Sequence, residues 1–438
     1  MADDISIKDG NGVSRTIKTE DQGGVHIPQH SISFADSMAI GAFARMRISN
    51  PETLFDSKQV FDDTDIANNV ENFPLFFDNQ EVSGGGTATA FDIDRASTIL
   101  SVSDLTAGVR TRQTRRRFNY QSGKSQLVVF TYVFGATATG ITRRKGLYDG
   151  SNGLFFQQNS AGFSVVRRSF VTGSSVDQVV IQSAWNKDKL DGSGGAGNPS
   201  GVTLDPLASQ IAFIDFEWLG TGRIRFGFFI NGIPRVCHEM NNANVLDVVY
   251  MSTPNLPVRA EIINDGTGPV ATFEDICSTV ISEGGQKHTG ATHYLSTNGT
   301  HVDANVENTI YAVVGMRLRS THLSADIKLV NTTLISETND DFEWIILFNP
   351  TVADTFAYAN FANSALQIAR GITANTVTGG TPISGGFSTN SVPAATEIEE
   401  ILTLGSLIDG TPDEIVLCVR PLGANEDIQG SITVRQLT

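Results

Sequence analysis

The chain has 438 residues, 42 of them glycine, and a formal net charge of −16 at pH 7. This acidity argues against general nucleic-acid binding, because proteins that hold a phosphate backbone need an excess of Lys and Arg. No apolar run is long enough to cross a bilayer, and the acidic start Met1-Ala2-Asp3-Asp4 does not resemble a signal peptide. We therefore expect no nucleic-acid partner, no membrane partner and synthesis in a cytoplasm.

Cofactor and metal motifs are not found in the sequence. The three cysteines, Cys237, Cys277 and Cys418, are too far apart for a disulfide framework or a zinc ligand pattern. There is no Walker loop, no GxGxxG and no GxSxG. We expect no cofactor and no resident metal.

Residues 1–35 are predicted to form an N-terminal attachment arm. Two short alternating runs flank Asp9-Gly10-Asn11-Gly12, which is a hairpin signal, and Gly23-Gly24 interrupts the segment again. A unit this small cannot bury a core of its own and must dock on the rest of the chain or on another subunit. Residues 33–46 are the best early candidate for a helix. Residues 36–86 are interpreted as a connecting segment that ends in a flexible joint, Ser83-Gly84-Gly85-Gly86.

Residues 87–281 are predicted to form one large antiparallel β-sandwich. Short runs of Val, Ile, Phe and Thr, separated by Gly, Asn and Asp, dominate this region. Asn231-Gly232 stands between two alternating runs and predicts a type I′ hairpin, because both residues tolerate positive φ. We expect a three-strand meander near the middle of a sheet at 211–218, 223–230 and 235–240. Further strands are predicted at 87–93, 97–102, 110–119, 126–134, 153–158, 162–170, 176–182 and 258–263.

The remaining chain is predicted to hold a second β domain. Residues 282–308 are polar and contain Gly284-Gly285 and Asn298-Gly299, so they are interpreted as a linker. Residues 309–438 repeat the β pattern in runs such as YAVVGMRLR and EIVLCVRPL. One helix is predicted among them, at residues 395–404.

Asp215 and Glu217 lie two residues apart on a predicted strand, so both carboxylates share one face. The words FIDFEWLG resemble the catalytic strand of laminarinase-type β-glucanases, which carry Glu-x-Asp-x-Glu on a concanavalin-like sandwich. The resemblance implies that Glu217 is the acid/base and Asp215 the middle aspartate. The nucleophile position is Phe213, which cannot run a retaining mechanism. The favoured alternative is that both acids pair with Arg223 and Arg225 of the next strand, and we predict no enzyme.

A second hypothesis is a host-glycan site at one end of the sandwich. Loops at 190–201 and 241–257 would form it, because sites tend to lie on loops held by a rigid scaffold. The candidate residues are Asp215, Glu217, Trp218, Asn241 and Asn244.

A basic cluster and an apolar patch are candidates for subunit interfaces. On an acidic protein, clustered arginines suit an acidic neighbouring surface, although they can equally pair with the chain's own acids. The patch is the NFPLFF run. The candidate interface residues are Arg110, Arg112, Arg115, Arg116, Arg117, Phe73, Phe76 and Phe77.

Histidines in two places are considered as possible ligands or bases, and neither group is predicted to be a site. His288, His293 and His301 lie near Asp303, but their spacing matches no zinc motif, and we expect solvated loop histidines. Cys237 and His238 are adjacent on a predicted strand and would point to opposite faces, so they cannot form a thiol–imidazole pair.

Several long words resemble tailed-bacteriophage proteins. The opening ISIKDGNGVSRTIKTEDQGGVHIPQHSI resembles the N-terminal segment of many virion proteins of these phages. The words RRRFNYQSGKSQLVVFTYVF, AWNKDKLDGSGGAGNPSGVTLD and IDFEWLGTGRIRFGFFINGI resemble a module that recurs in phage structural proteins, roughly over residues 1–265. The resemblance implies a virion component assembled in the host cytoplasm, with a concanavalin- or jelly-roll-like sandwich.

This resemblance also frames the expected partners. We expect other copies of the chain, with a homotrimer favoured, and other virion proteins. A place in the tail, baseplate or fibre attachment is favoured over capsid decoration. The resemblance supplies no catalytic residues.

Overall fold

The structure is a computed structural model. It describes strands at residues 5–8, 14–17, 19–22, 25–28 and 394–397, together with residues 51–64, 76–286, 289–338, 341–388 and 403–437. Within these residues there is no α-helix, and no helix that could cross a membrane. The chain divides into two units, Met1–Met46 and Arg47–Thr438. The helix predicted at 33–46 lies outside the described residues.

The first unit contains two short antiparallel hairpins. In the first, Ile5 lies opposite Ile17 and Lys8 opposite Ser14, so the two predicted runs pair, while the predicted turn between them lies outside the described residues. In the second, Thr19 lies opposite Pro28 and Gln22 opposite Val25, and Gly23-Gly24 lies outside the described residues. The strands are β1 (Ile5–Lys8), β2 (Ser14–Ile17), β3 (Thr19–Gln22) and β4 (Val25–Pro28).

The second unit begins with a sandwich of two antiparallel sheets, which we call the first sandwich. Its strands are β5 (Glu52–Ser57), β6 (Phe77–Gly84), β7 (Thr87–Asp92), β8 (Ser97–Val102), β9 (Gly108–Thr114), β10 (Gln126–Val133), β11 (Ile141–Tyr148), β12 (Gly153–Asn159), β13 (Gly162–Ser169), β14 (Val176–Ile181), β15 (Gln210–Phe216), β16 (Ile224–Ile230), β17 (Ile233–Met240), β18 (Val258–Asn264) and β19 (Ala271–Ser282).

The eight-stranded sheet has the order β17-β16-β15-β10-β19-β8-β7, with β5 beside β19. The seven-stranded sheet has the order β14-β13-β12-β11-β18-β9-β6. The chain crosses repeatedly between the sheets, for example from β8 to β9 to β10, in the manner of a jelly roll. The predicted all-β sandwich fold is confirmed.

The core of the first sandwich is rich in aromatic side chains. On β10, Val128, Phe130 and Tyr132 alternate along one face and are fully buried. Across the interior, Phe156 of the seven-stranded sheet meets Phe226 of the eight-stranded sheet edge-on, with ring centroids 5.5 Å apart. Alternation in the sequence thus places one side of each strand in a shared core.

Three predictions about this sandwich need correction. The meander β15-β16-β17 forms one end of its sheet rather than the middle, and β17 is the edge strand. The glycine run after Ser83 is a tight turn between the two sheets and not a flexible joint. Gly84 has φ +72°, and a Cβ there would lie 2.1 Å from the carbonyl oxygen of Ala107. The connecting segment also contributes two strands, β5 and β6.

A second sandwich follows. Its strands are β20 (Gly290–Ser296), β21 (Val302–Ala304), β22 (Tyr311–Leu318), β23 (Asp326–Ser336), β24 (Phe342–Phe348), β25 (Thr351–Val352), β26 (Ala359–Asn360), β27 (Leu366–Arg370), β28 (Val377–Thr378), β29 (Thr381–Ser388), β30 (Ala394–Glu397), β31 (Glu414–Pro421) and β32 (Glu426–Leu437).

Two sheets form this sandwich. One has the order β20-β32-β23-β30 with β21 beside β32, and the other has the order β26-β27-β22-β31-β24-β29. The predicted linker therefore contains two strands, β20 and β21, that pair with β32. The predicted helix at 395–404 is wrong at its start, because β30 pairs with β23.

Candidate functional site

Consecutive arginines at 115–117 join the two sandwiches, and we call this contact the seam. Arg115 lies just after β9, and its Nη1 is 2.6 Å from Oδ1 of Asp413, which precedes β31. Both side chains are buried. Arg117 Nη1 donates to Ser406 Oγ at 3.0 Å. The seam is therefore built from charged and polar groups removed from water.

Further contacts extend the seam on both sides. Arg116 donates to the carbonyl oxygen of Leu54 at 3.1 Å, and its Nη2 lies 3.8 Å from Asp326 at the start of β23. Asp78 accepts from the backbone N–H of Ile408 at 2.8 Å. Burial raises the pKa of Asp78, and the hydrogen bond from Ile408 opposes that shift. The three arginines predicted for a subunit interface thus serve an interface within one chain.

A cavity of about 670 Å³ adjoins the seam. Its walls combine apolar side chains such as Leu54 and Ile383 with charged ones such as Arg116 and Lys328. Phe76, from the predicted apolar patch, is 53% exposed and lines it.

Arg112 occupies a different environment, inside the first sandwich. Its side chain is fully buried, and its two terminal nitrogens lie 2.8 and 2.9 Å from the two oxygens of Asp63. The guanidinium lies 3.9 Å from the ring centroid of Phe77, which is buried. Arg110 is half-buried and donates to Thr89 Oγ1 at 2.5 Å.

The prediction of a subunit interface is therefore wrong for the residues that lie in the interior. Arg112 and Phe77 are interior residues and cannot form a subunit interface, because β9 and β6 turn them into the core. Phe73 lies outside the described residues.

A buried ion pair, Lys145 and Asp275, completes this interior group. Lys145 Nζ lies 2.5 Å from Asp275 Oδ1, and neither side chain is exposed. Burial lowers the pKa of Lys145, and the neighbouring carboxylate of Asp275 opposes that shift. We call Arg112, Asp63, Lys145 and Asp275 the interior charge group.

The sequence contained a signal for this group. Along β11, Ile141, Arg143, Lys145 and Leu147 alternate, so two cations share the face of two aliphatic residues. A cation on an apolar face indicates a buried pair. Strand β11 was not among the predicted strands, because Arg143, Arg144 and Lys145 interrupt its apolar pattern.

The ion-pair alternative is confirmed for Asp215. Asp215 on β15 lies directly opposite Arg225 on β16 and forms a salt bridge with it. Both carboxylate side chains are 2% exposed. Phe213, at the nucleophile position, is fully buried beside them on the strand. Arg223 pairs instead with Glu239, at 3.6 Å.

Trp218 has structural contacts on both sides. Its Nε1 donates to the carbonyl oxygen of Met251 at 3.3 Å. Its ring meets Tyr120 edge-on at 6.2 Å. Burial raises the pKa of Tyr120, and the charge of Glu217 raises it further. This arrangement holds the end of β15 against the core.

The loops of the glycan hypothesis are exposed and ordered by their own polar groups. Asn241 and Asn244 are exposed, and Asn244 has φ +59°. In the 190–201 loop, Asp191 accepts from Ser193 and from Asn198 Nδ2 at 3.1 Å. These hydrogen bonds, that from Ser193 first, lower the pKa of Asp191 to about 2. Of the five candidate glycan residues, the two asparagines are exposed, whereas Asp215 and Glu217 are buried.

His301 belongs to the one group with metal-ligand spacing among the residues that the structure describes. Ligand atoms of His301, Asp303 and Asp427 lie within 4.8 Å of one another. Nε2 of His301 is 3.0 Å from Asp303, and Nδ1 is 3.1 Å from Glu337. The hydrogen bond with Glu337 raises the pKa of His301. The expected solvated loop histidine is found, since His301 is exposed, and it also contacts the carboxylates of Asp303 and Glu337.

The other sulfur and imidazole groups have separate surroundings. Cys237 is buried and donates to the carbonyl oxygen of Phe226 at 3.3 Å, and burial raises the pKa of its thiol. His238 Nδ1 accepts from the N–H of Asn186. His293 lies on β20, and His288 lies outside the described residues.

Fold and site together define an all-β protein of two sandwiches joined by a buried polar seam. No protein-family model and no curated protein matches the sequence. Similar solved structures include the carbohydrate recognition domain of Emp47p, with 9% identity, a TM-score of 0.30, and coverage of 52% of this chain and 96% of that one. A β-1,3-glucanase from Mycobacterium marinum has 10% identity, a TM-score of 0.32, and coverage of 52% and 98%.

A third similar structure is a legume lectin-like domain from Entamoeba histolytica, with 10% identity, a TM-score of 0.26, and coverage of 47% and 90%. These identities and TM-scores are too low to transfer a function to this chain.

Proposed function

We propose that the chain is a structural component of a tailed-bacteriophage particle, in the tail or baseplate, and that it acts by subunit association. The observation that carries the proposal is the seam. Arg115 and Asp413 are buried against each other, and we infer that this contact couples the two sandwiches. The first 46 residues form a unit of their own with two hairpins, which suits an attachment arm.

The words that resemble phage proteins also have structural tasks. The word beginning RRRFNY supplies the seam arginines 115–117, and IDFEWLGTGRIRFGFFINGI supplies the end of β15 and all of β16. Because these words build the seam and one end of a sheet, their resemblance to phage proteins favours a common structural scaffold. The salt bridge of Asp215 with Arg225, and the burial of both, argue against a glycanase acting through that strand.

The first test is to look for the chain in particles. Mass spectrometry of purified particles of the phage that encodes it should find the protein in a fixed ratio to the major capsid protein. A chain found in infected cells but removed by particle purification would contradict the proposal.

The second test is the mass of the purified protein in solution, measured for the full chain and for residues 36–438. We expect a homotrimer in both forms, because the proposal places self-association in the sandwiches and attachment in the arm. A monomer in both forms would contradict self-association and favour capsid decoration by single copies.

A further inference from the structure

Lys145 and Asp275 meet between the two sheets of the first sandwich. Lys145 lies on β11 of the seven-stranded sheet and Asp275 on β19 of the eight-stranded sheet. Nζ lies 2.5 Å from Oδ1 with no exposure to solvent, and the ring centroid of Phe130 is 5.6 Å from Nζ. Two groups that can react are thus held in contact, away from water, by separate strands.

The interior charge group contains two cations and two carboxylates. Arg112 and Asp63 are joined by two contacts of 2.8 and 2.9 Å. Lys145 and Asp275 form the second pair, and Arg112 Nε also lies 3.6 Å from Asp275 Oδ2. Buried ions are costly even when paired, so a reaction that removes both charges and leaves Arg112 with Asp63 relieves that cost. Burial also lowers the pKa of Lys145, which favours the neutral amine.

We propose that Lys145 and Asp275 condense to an intramolecular amide that links β11 to β19 covalently. Nζ passes one proton to Oδ1 and the resulting amine attacks Cγ. A second proton moves from Nζ to Oδ1, the Cγ–Oδ1 bond breaks, and one water leaves while the carbonyl reforms at Oδ2. The ammonium and the carboxylate together contain all atoms of one amide and one water, so no oxidant, reductant or other reactant is needed.

Oδ2 is placed where its developing negative charge can be stabilised. Gln59 Nε2 lies 3.5 Å from it and Arg112 Nε lies 3.6 Å from it. Among the described residues, Arg112 Nε has no hydrogen-bond partner and is therefore available as a donor. Donors arranged in advance around such an oxygen are a main source of rate acceleration in acyl transfer. Arg112 and Gln59 are positioning residues in this scheme.

The link would close a loop of 130 residues through the interior of the sandwich. It would add a covalent bond between two sheets that are otherwise held together, apart from the connecting turns, by non-covalent contacts such as the hydrogen bond from Arg143 Nε to the carbonyl oxygen of Thr272. This inference does not depend on the proposed place of the protein in a phage particle.

The test is the intact mass of the full chain under denaturing conditions. We expect a mass below the sequence mass by one water, and a protease digest containing one branched peptide that joins the segments around Lys145 and Asp275. A wild-type chain at its full sequence mass would overturn the proposal.

Two variants distinguish the proposed amide from other reactions that lower the mass by one water. Lys145→Arg keeps the positive charge but removes the amine nucleophile, so this variant should have its full sequence mass. Asp275→Asn should form the same amide and lose one ammonia instead of one water. A deficit that persists in Lys145→Arg, or that mild base reverses, would mark a succinimide at one of the Asp-Gly sites such as Asp149-Gly150 and would also overturn the proposal.

Discussion

Arg112 and Arg115 lie three residues apart, yet they stabilise different parts of the molecule. Arg112 is within β9 and faces the interior of the first sandwich, where it pairs with Asp63. Arg115 follows the end of β9, leaves the sheet and pairs with Asp413 beside the second sandwich. Arg112 faces the core because of its position in the alternation of β9, and Arg115 reaches the seam because β9 ends before it. Removing the Arg112 side chain should therefore destabilise the first sandwich, and removing that of Arg115 should uncouple the two sandwiches.

The largest effect is expected from Arg112→Met. The substitution leaves the buried carboxylate of Asp63 without its cation, and removing one partner of a buried pair costs about 3–5 kcal/mol of unfolding free energy. Urea denaturation followed by tryptophan fluorescence measures this loss, because Trp185 lies in the first core.

Two control variants sharpen this result. The double variant Arg112→Met, Asp63→Leu should recover part of the loss, because neither charge then remains buried. Arg95→Ala removes an arginine that pairs with Asp92 at the surface, and should leave stability close to that of the wild type. If Arg112→Met were as stable as the wild type, the buried carboxylate of Asp63 would not need Arg112 as its cation.

A smaller loss, about 2 kcal/mol, is expected from Arg115→Ala, in the range of a lost hydrogen bond between charged groups. Asp413 keeps a second donor, Nδ2 of Asn349 at 2.9 Å, which limits the cost. The distinctive readout is calorimetry. A coupled wild-type transition should split into two, because each sandwich retains its own core while the seam is weakened.

The matched control for the seam is Arg420→Ala. Arg420 pairs with Glu343 inside the second sandwich, so its loss should lower one transition without separating two. A single unsplit transition for Arg115→Ala would mean that the seam does not couple the sandwiches.

The smallest effect concerns pH and lies wholly in the second sandwich. Glu337 raises the pKa of His301, so the folded state binds this proton more tightly than the unfolded state does. The stabilisation is fully present below the ordinary histidine value of about 6.5 and is lost as pH rises through the raised folded value. His301→Gln should remove this component of the pH dependence of Tm, measured from pH 5 to 9, roughly the range around the histidine value.

His322→Gln provides the comparison, since His322 is exposed and its Nδ1 lies 2.8 Å from the hydroxyl of Thr321 instead of a carboxylate. Identical pH profiles for wild type and His301→Gln would contradict the assignment. Neither histidine variant should affect the coupling that the seam provides.

Features that depend on local sequence signals were predicted correctly. Asn231 and Gly232 have φ +53° and +75°, as the predicted type I′ turn requires. Strand β8 spans Ser97–Val102, the range predicted from alternation alone. The expected pairing of Asp215 with a neighbouring arginine is found as well. Each of these features depends on residues close together in the chain.

Long-range features could not be predicted in the same way. Arg115 and Asp413 are 298 residues apart, and no local pattern identifies one as the partner of the other. Strand β19 was not predicted, because Glu274 and Asp275 interrupt its apolar pattern. The partner of Asp275 is Lys145, which lies on a different strand 130 residues earlier in the chain. The start of the predicted helix at 395–404 has good helix formers, but pairing with β23 overrides that propensity at β30.

The pairing of β5 with β19 has a consequence for how the protein forms on the ribosome. Phe55 and Thr279 are 224 residues apart and hydrogen-bonded, so the first sandwich cannot close until its last strand has emerged. The second sandwich has the same dependence, because β20 pairs with the C-terminal strand β32. Pairings this distant make folding slow and leave unpaired strand edges exposed meanwhile. Low temperature during expression should therefore raise the yield of folded chain, because it slows aggregation of the exposed strand edges.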